Sequence, residues 1–152
     1  MKGILSIALL TLFITASCTK EKTAEFLPGD RGELEVEFDN VFSVNDLLLN
    51  AGSYTNAAGE VYTISTLNYY ISNIKLKNTD GSEYTVPQDS SYFLIKEENA
   101  SQRITLENIP AGNYTGISFT LGVDSLKSVA PLWQRTGVLD LASGAAGMYW
   151  DQ

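Results

Sequence analysis

The chain has 152 residues, a formal net charge of −8, one cysteine and no histidine. This length predicts one domain, and the lack of histidine excludes Ser-His or Cys-His nucleophiles and Cys2His2 zinc sites within the chain. One cysteine excludes an internal disulfide, and the acidic balance argues against a nucleic-acid partner, because binding phosphates needs a basic surface.

The first 18 residues have the size and order of a secretory signal. Lys2 precedes an apolar run over residues 4–14, and small residues at 15–17 lead directly to Cys18. The run is too short for a permanent membrane-spanning helix. Small residues ending at a cysteine resemble the lipobox of bacterial lipoproteins, which implies a signal peptide over 1–17, lipidation of Cys18 and a membrane anchor. The alternative is an ordinary cleaved signal beside an unrelated cysteine.

A tether and a first strand follow. Residues 18–32 begin with the cysteine and are short, polar and broken by Pro28-Gly29 and Gly32, which predicts a flexible tether. Residues 33–152 are the predicted domain. Residues 33–39 alternate strictly between apolar side chains and carboxylates, which is typical of a half-buried strand with a solvated outer face.

The middle of the chain predicts further strands. Residues 43–61 are expected to form a strand end or single turn and then a long loop. Residues 62–76 predict a strand whose apolar alternation changes parity, and one extra residue near Ser72-Asn73 would restore it, so we expect a β-bulge there. Residues 79–82 have the composition of a hairpin turn.

The later segments are also read as strands and turns. Residues 84–86 predict a short strand, and residues 92–95, apolar on both faces, predict a central strand. Residues 104–106 alternate again, and residues 110–113 have turn composition. Residues 117–123 alternate most clearly of all.

These elements predict an all-β fold, an antiparallel β-sandwich-like domain. Residues 125–147, with one proline and three glycines, are expected to run over the surface as a long excursion. Trp133 is expected to anchor this loop, and a ligand-stacking role is the alternative. The tyrosines are expected to lie with their rings against the core and their hydroxyls solvated. The alternative is that stacked tyrosines bind a glycan.

Five segments of the chain, taken in order, form one pattern: residues 34–38, 67–76, 109–114, 121–124 and 147–150. The tyrosine pair before Ile71-Ser72-Asn73 and the final Gly-Met-Tyr-Trp are the more specific motifs. Together these segments resemble the MbnP-like family, copper-binding periplasmic proteins associated with methanobactin operons and widespread as lipoproteins in Bacteroidota.

The resemblance also implies what is absent. Family members usually continue past the position of Trp150 with a second tryptophan and further strands, so we expect an incomplete domain without its C-terminal strands. The resemblance implies copper held by histidines and an oxidised tryptophan, and this chain has no histidine to supply. The remaining metal candidates are Met148, whose thioether suits Cu(I), and Trp150, and a packed strand is the competing interpretation for both.

We therefore expect a lipid-anchored, non-catalytic binding protein of the bacterial cell envelope, on the periplasmic or surface face of the outer membrane. Copper is its possible cargo by resemblance, although no residues present support a copper site. Two alternatives are a surface glycan-binding lipoprotein and a fimbrial or adhesin-type structural subunit that accepts a donor strand. An enzyme is the least supported class, because no general base or nucleophile arrangement is recognisable.

Overall fold

The computed structural model describes residues 26–98, 102–141 and 148. These residues form ten strands, a single-turn helix and short 3-10 turns. The strands are β1 (Arg31–Glu37), β2 (Val41–Phe42), β3 (Asn45–Asp46), β4 (Tyr54–Thr55), β5 (Val61–Tyr62), β6 (Asn68–Asn78), β7 (Glu83–Thr85), β8 (Phe93–Lys96), β9 (Arg103–Pro110) and β10 (Tyr114–Leu121). The helix is α1 (Ser125–Ser128), and the 3-10 turns are Gln88–Ser90, Leu132–Gln134 and Gly137–Leu139.

Every strand pair is antiparallel, which confirms the predicted all-β fold. The eleven-residue β6 is the centre of the larger sheet. It pairs with β10 along one side and, along the other, with β8 at its start and β7 at its end. The strands β1 and β9 form a second sheet, and β2–β3 and β4–β5 are two small hairpins.

The prediction that residues 92–95 form a central strand is wrong. Among the described residues, β8 pairs only with β6. Of its apolar run, Ile95 is buried, whereas Phe93 and Leu94 are only half-buried. A short strand can be apolar on both faces when it covers part of a longer neighbour, so the run alone did not distinguish centre from edge.

The core joins the two sheets. The strand β6 supplies Ile71, Ile74 and Leu76, and β9 supplies Ile104, Leu106 and Ile109. The predicted inner face of β1 is confirmed, because Leu34, Val36 and Phe38 pack against this core while the glutamates of β1 are exposed.

The predicted bulge in β6 is confirmed. Ser72 faces Thr120 and Lys75 faces Ser118, so one more residue lies on β6 than on β10 in this interval. Asn73 takes a φ of +54°, a left-handed conformation that asparagine tolerates better than most residues. The insertion puts both Ile71 and Ile74 into the core, which explains the parity change in the sequence.

The stretch predicted as a loop after residue 50 contains a small hairpin, β4–β5. Tyr54 is buried, its ring lies 4.6 Å from that of Phe42, and its hydroxyl hydrogen-bonds the backbone of Leu48. Asn56 closes the turn by accepting hydrogen bonds from the N–H groups of Ala58 and Glu60. Two-residue strands are too short to show an alternation, so the sequence pattern missed them.

Trp133 does not anchor the segment after β10, contrary to our expectation, because its side chain is 78% exposed. The segment is held instead by Leu139, which is buried, and by the Tyr70 hydroxyl, which donates to the carbonyl of Val138 over 3.0 Å. No helix in the described part of the chain is both long enough and apolar enough to cross a membrane.

Candidate functional site

Two of the motif segments, residues 67–76 and 121–124, meet in space. The Ser72 hydroxyl, fully buried, donates to the carbonyl of Gly122 over 2.8 Å. The Gly122 N–H donates to the carbonyl of Tyr70 over 2.7 Å, and Gly122 takes a φ of +111° that favours glycine. These bonds fix the turn that carries the chain from β10 to Asp124.

Asp124 is the centre of a polar cluster. One carboxylate oxygen accepts from the Lys127 N–H over 3.0 Å and so caps α1. The other oxygen accepts from the Tyr92 hydroxyl over 2.5 Å and from Gln88 Nε2 over 3.2 Å. One carboxylate thus ties together α1, the 3-10 turn at Gln88–Ser90 and the residue before β8.

The electrostatics of the cluster oppose proton transfer near neutral pH. The hydrogen bond from Tyr92 holds the pKa of the Asp124 carboxyl below its usual range. Burial, together with the hydrogen bond to Asp124, raises the pKa of Tyr92 to about 12. Lys127 Nζ lies 3.7 Å from the Asp89 carboxylate and 5.5 Å from the centre of the Tyr92 ring. Asp124 is therefore an ionised structural anchor and a poor general acid.

A cleft of about 340 Å³ opens beside the cluster. Tyr84, Tyr92 and Phe93 give it aromatic walls, and Asp89 and Glu107 contribute carboxylates. No lysine or arginine is among its lining residues, but Lys127 lies 3.7 Å from the Asp89 carboxylate and partly compensates its charge, so the cleft suits a neutral ligand best.

The substitution Tyr92→Phe tests the cluster through pH. The folded pKa of Asp124 lies below its unfolded value of about 3.9, so its contribution to stability is complete above that pH and is lost as the pH falls. The folded pKa of Tyr92 lies above the unfolded value, so its contribution is complete below about pH 10 and is lost toward pH 12. We expect Tyr92→Phe to lower the free energy of unfolding by about 1 kcal/mol at neutral pH.

Urea unfolding at a series of pH values from 3 to 11 measures this effect. When the free energy of unfolding is plotted against pH, the curve of Tyr92→Phe should approach that of the unsubstituted chain at both ends of the range. Two parallel curves would contradict the coupling between Asp124 and Tyr92. Tyr62→Phe is the control, since the described structure gives its hydroxyl no hydrogen bond, and its curve should follow that of the unsubstituted chain.

Of the two predicted metal candidates, Met148 alone lies within the described residues. Met148 lies in a turn and is half-buried. Cys18 and Trp150 lie outside the described residues. Within residues 26–98, 102–141 and 148, no group of three or more His, Cys, Asp or Glu side chains could hold a metal ion.

Tyr69, Tyr70, Tyr92 and Tyr114 are half-buried, and the solvation of their hydroxyls stays a prediction. The hydroxyls of Tyr69, Tyr70, Tyr92 and Tyr114 each donate to a protein acceptor. Sequence reasoning missed Asp124 as the centre of a cluster. The available signal was an aspartate directly before a short helical segment, the typical position of an N-cap.

The fold and the cluster define a small, antiparallel all-β domain with an internally bonded polar site. The family model MbnP matches residues 31–152, and the chain belongs to this family. The family is not a known enzyme family. Comparison with curated proteins and with solved structures gives no match.

Proposed function

We propose that this chain is a lipid-anchored, non-catalytic binding protein of the bacterial cell envelope, held on the outer membrane at its periplasmic or surface face. Membership of the MbnP family over residues 31–152 is the observation that carries the proposal. The export-signal pattern that ends at the lone cysteine, Cys18, supports the anchor.

The polar cluster supports the non-catalytic part of the proposal. The carboxylate of Asp124 accepts three hydrogen bonds from within the chain, so its acceptor positions are largely occupied. A general base needs a free acceptor position within reach of a substrate proton, and a general acid needs a proton at the working pH. Asp124 is ionised and bonded within the chain, so it has neither a free acceptor position nor a proton to give. Its hydrogen bonds are better explained as structural contacts.

The residues present do not fit the copper site that the family resemblance implies. The chain has no histidine, and imidazole is the usual nitrogen ligand for copper. Met148 offers a single thioether in a half-buried turn, and Trp150 is the other sequence candidate. One thioether without imidazole partners makes a weak site, so we propose that any copper cargo is bound loosely by this chain.

A Cu(I) titration of the purified chain against a competing chelator tests this proposal. We expect the chain to retain much less than one copper ion per molecule, and Met148→Leu to abolish the small amount retained. Met148→Leu preserves volume and removes only the sulfur ligand, so an unfolded variant is not the expected explanation. A full equivalent of copper that survives the chelator and the substitution would contradict the proposal.

The two alternative functions differ in their support. A glycan-binding surface would be favoured by solvent-facing aromatic residues in a row on one sheet, but the tyrosine hydroxyls of Tyr69, Tyr70 and Tyr92 are bonded within the protein. A structural subunit is favoured by one observation, the exposed apolar side chains of β10.

A further inference from the structure

The strand β9 contains a bulge that turns two consecutive side chains outward. The interval Gly32–Leu34 of β1 lies opposite the interval Leu106–Ile109 of β9, so β9 has one more residue than β1 there. Glu107 and Asn108, the two residues inside this interval, are both exposed, whereas the residues on either side of them are buried. A regular strand would turn one of the two side chains inward.

Contacts within the chain hold this bulge in place. Asn108 takes a φ of +58°, a left-handed conformation that asparagine tolerates, and Arg31 Nη1 donates to the Asn108 carbonyl over 2.8 Å. Bulges of this kind often redirect side chains beside functional sites. The described structure gives the Glu107 and Asn108 side chains no hydrogen bond and no ion pair, so β9 presents a carboxylate and an amide that are both available to a ligand.

The bulge lines the cleft of about 340 Å³ described above, and the rest of the cleft comes mainly from the other sheet. Thr105 of β9 adds a hydroxyl beside the bulge. Tyr84 lies in β7, Phe93 lies in β8 and Tyr92 directly precedes β8. All three aromatic side chains are half-buried, so part of each ring is accessible. The cleft therefore has a polar wall from one sheet and an aromatic wall from the other.

We propose that this cleft binds a neutral sugar ring. A pyranose has a face of C–H groups, which packs on aromatic rings, and an edge of hydroxyl groups, which exchange hydrogen bonds with carboxylates and amides. The C–H face would lie against Tyr84 and Phe93, and hydroxyl groups would reach Glu107 and Asn108. The volume lies at the lower end of the range for ligand clefts, about 300–1,000 Å³, which suits a short saccharide.

Charge is the reason to prefer a neutral ligand. The Glu107 carboxylate repels an anionic sugar, and the Asp89 carboxylate is partly compensated by Lys127 Nζ at 3.7 Å, so the cleft does not concentrate negative charge for a cation. The site also differs from a row of aromatic residues on one sheet, because its aromatic and polar walls belong to different sheets. It deepens the proposed binding function by naming a ligand class, and it needs neither the lipid anchor nor copper.

A nuclear magnetic resonance titration of the isotope-labelled, full-length chain, in a detergent without a sugar headgroup, tests this site. The neutral probes are the methyl glycosides of glucose, galactose, mannose and N-acetylglucosamine, and glucuronate is the anionic comparison. We expect at least one neutral glycoside to shift the backbone amide signals of Phe93, Glu107 and Asn108 in a saturable way, and glucuronate to bind more weakly.

Three variants locate the binding. Glu107→Gln should weaken the neutral glycoside by about tenfold or more, because it removes a charged hydrogen-bond acceptor and keeps the shape of the side chain. Asn108→Gly permits the same left-handed φ and removes only the amide, so it should weaken binding without loss of the fold. Glu83→Gln is the matched control, since Glu83 is an exposed carboxylate next to Tyr84 that does not line the cleft, and it should leave binding unchanged.

No shift at these amides with any of the four neutral glycosides would overturn the site. Glucuronate binding as tightly as the neutral glycosides would overturn it too, and so would equal binding by Glu107→Gln and Glu83→Gln. A chain that binds no sugar but still fractionates with membranes would overturn this site alone and leave the proposed anchoring intact.

Discussion

Replacing Ile74 with alanine is expected to lower the free energy of unfolding by about 2–5 kcal/mol. Ile74 is fully buried and belongs to the cluster that joins β6 to β9. Alanine would remove buried apolar atoms and leave a cavity that the surrounding strands can fill only in part. Ile74 reaches the core only because the bulge at Asn73 restores the register of β6, so the size of the effect also tests the bulge.

Urea unfolding followed by circular dichroism measures this loss. Val61→Ala is the matched control at a 70% exposed apolar position and should change the free energy of unfolding by no more than about 0.5 kcal/mol. A second comparison is Lys75→Ala, since Lys75 lies next to Ile74 and is exposed. If Lys75→Ala lowered the free energy of unfolding as much as Ile74→Ala, the side chain at position 75 would face the core, and the register of β6 would differ from the one described.

The strands whose alternation extends over several residues were predictable from sequence. Leu34, Val36 and Phe38 share a parity because one face of β1 packs on the core. The parity change between Ile71 and Ile74 located the bulge, because each side of it must still direct apolar side chains inward. Local patterns of this kind depend on which face is buried, and that information is present in the order of residues.

The features that the sequence did not predict depend on distant parts of the chain. Phe93 and Leu94 suggested a central strand. The position of β8 is set instead by β6, which pairs with β8 over its first residues and with β7 over its last ones. Trp133 was expected to anchor a loop that Leu139 holds instead. The size of a side chain indicates how much burial could stabilise it, and tertiary packing decides whether it is buried.

The candidate site was the least predictable part. The donors to Asp124 include Tyr92 and Gln88, which lie 32 and 36 residues away in the sequence. No local spacing encodes such contacts. The motif segments around Ser72 and Gly122 did mark the region, and the structure gives them a physical role, because the buried hydroxyl of Ser72 fixes the turn that presents Asp124.

The second large effect is expected from Cys18→Ala, which should move most of the protein from the membrane fraction to the soluble fraction of cells. Each buried methylene of an acyl chain contributes about 0.8 kcal/mol to membrane binding, so the loss of the lipid removes the main source of attachment. The chain has no other cysteine, so no second thiol can take the lipid. Met148→Leu, which leaves Cys18 intact, is the control and should stay with the membranes.

Metabolic labelling with a radioactive fatty acid, followed by membrane fractionation, tests whether Cys18 carries a lipid that holds the chain on the membrane. The unsubstituted chain should carry the label and sediment with membranes, and Cys18→Ala should carry no label and appear in the soluble fraction. An unsubstituted chain that is unlabelled and soluble, or a Cys18→Ala chain that keeps its label and its membrane attachment, would contradict a lipid anchor at this cysteine.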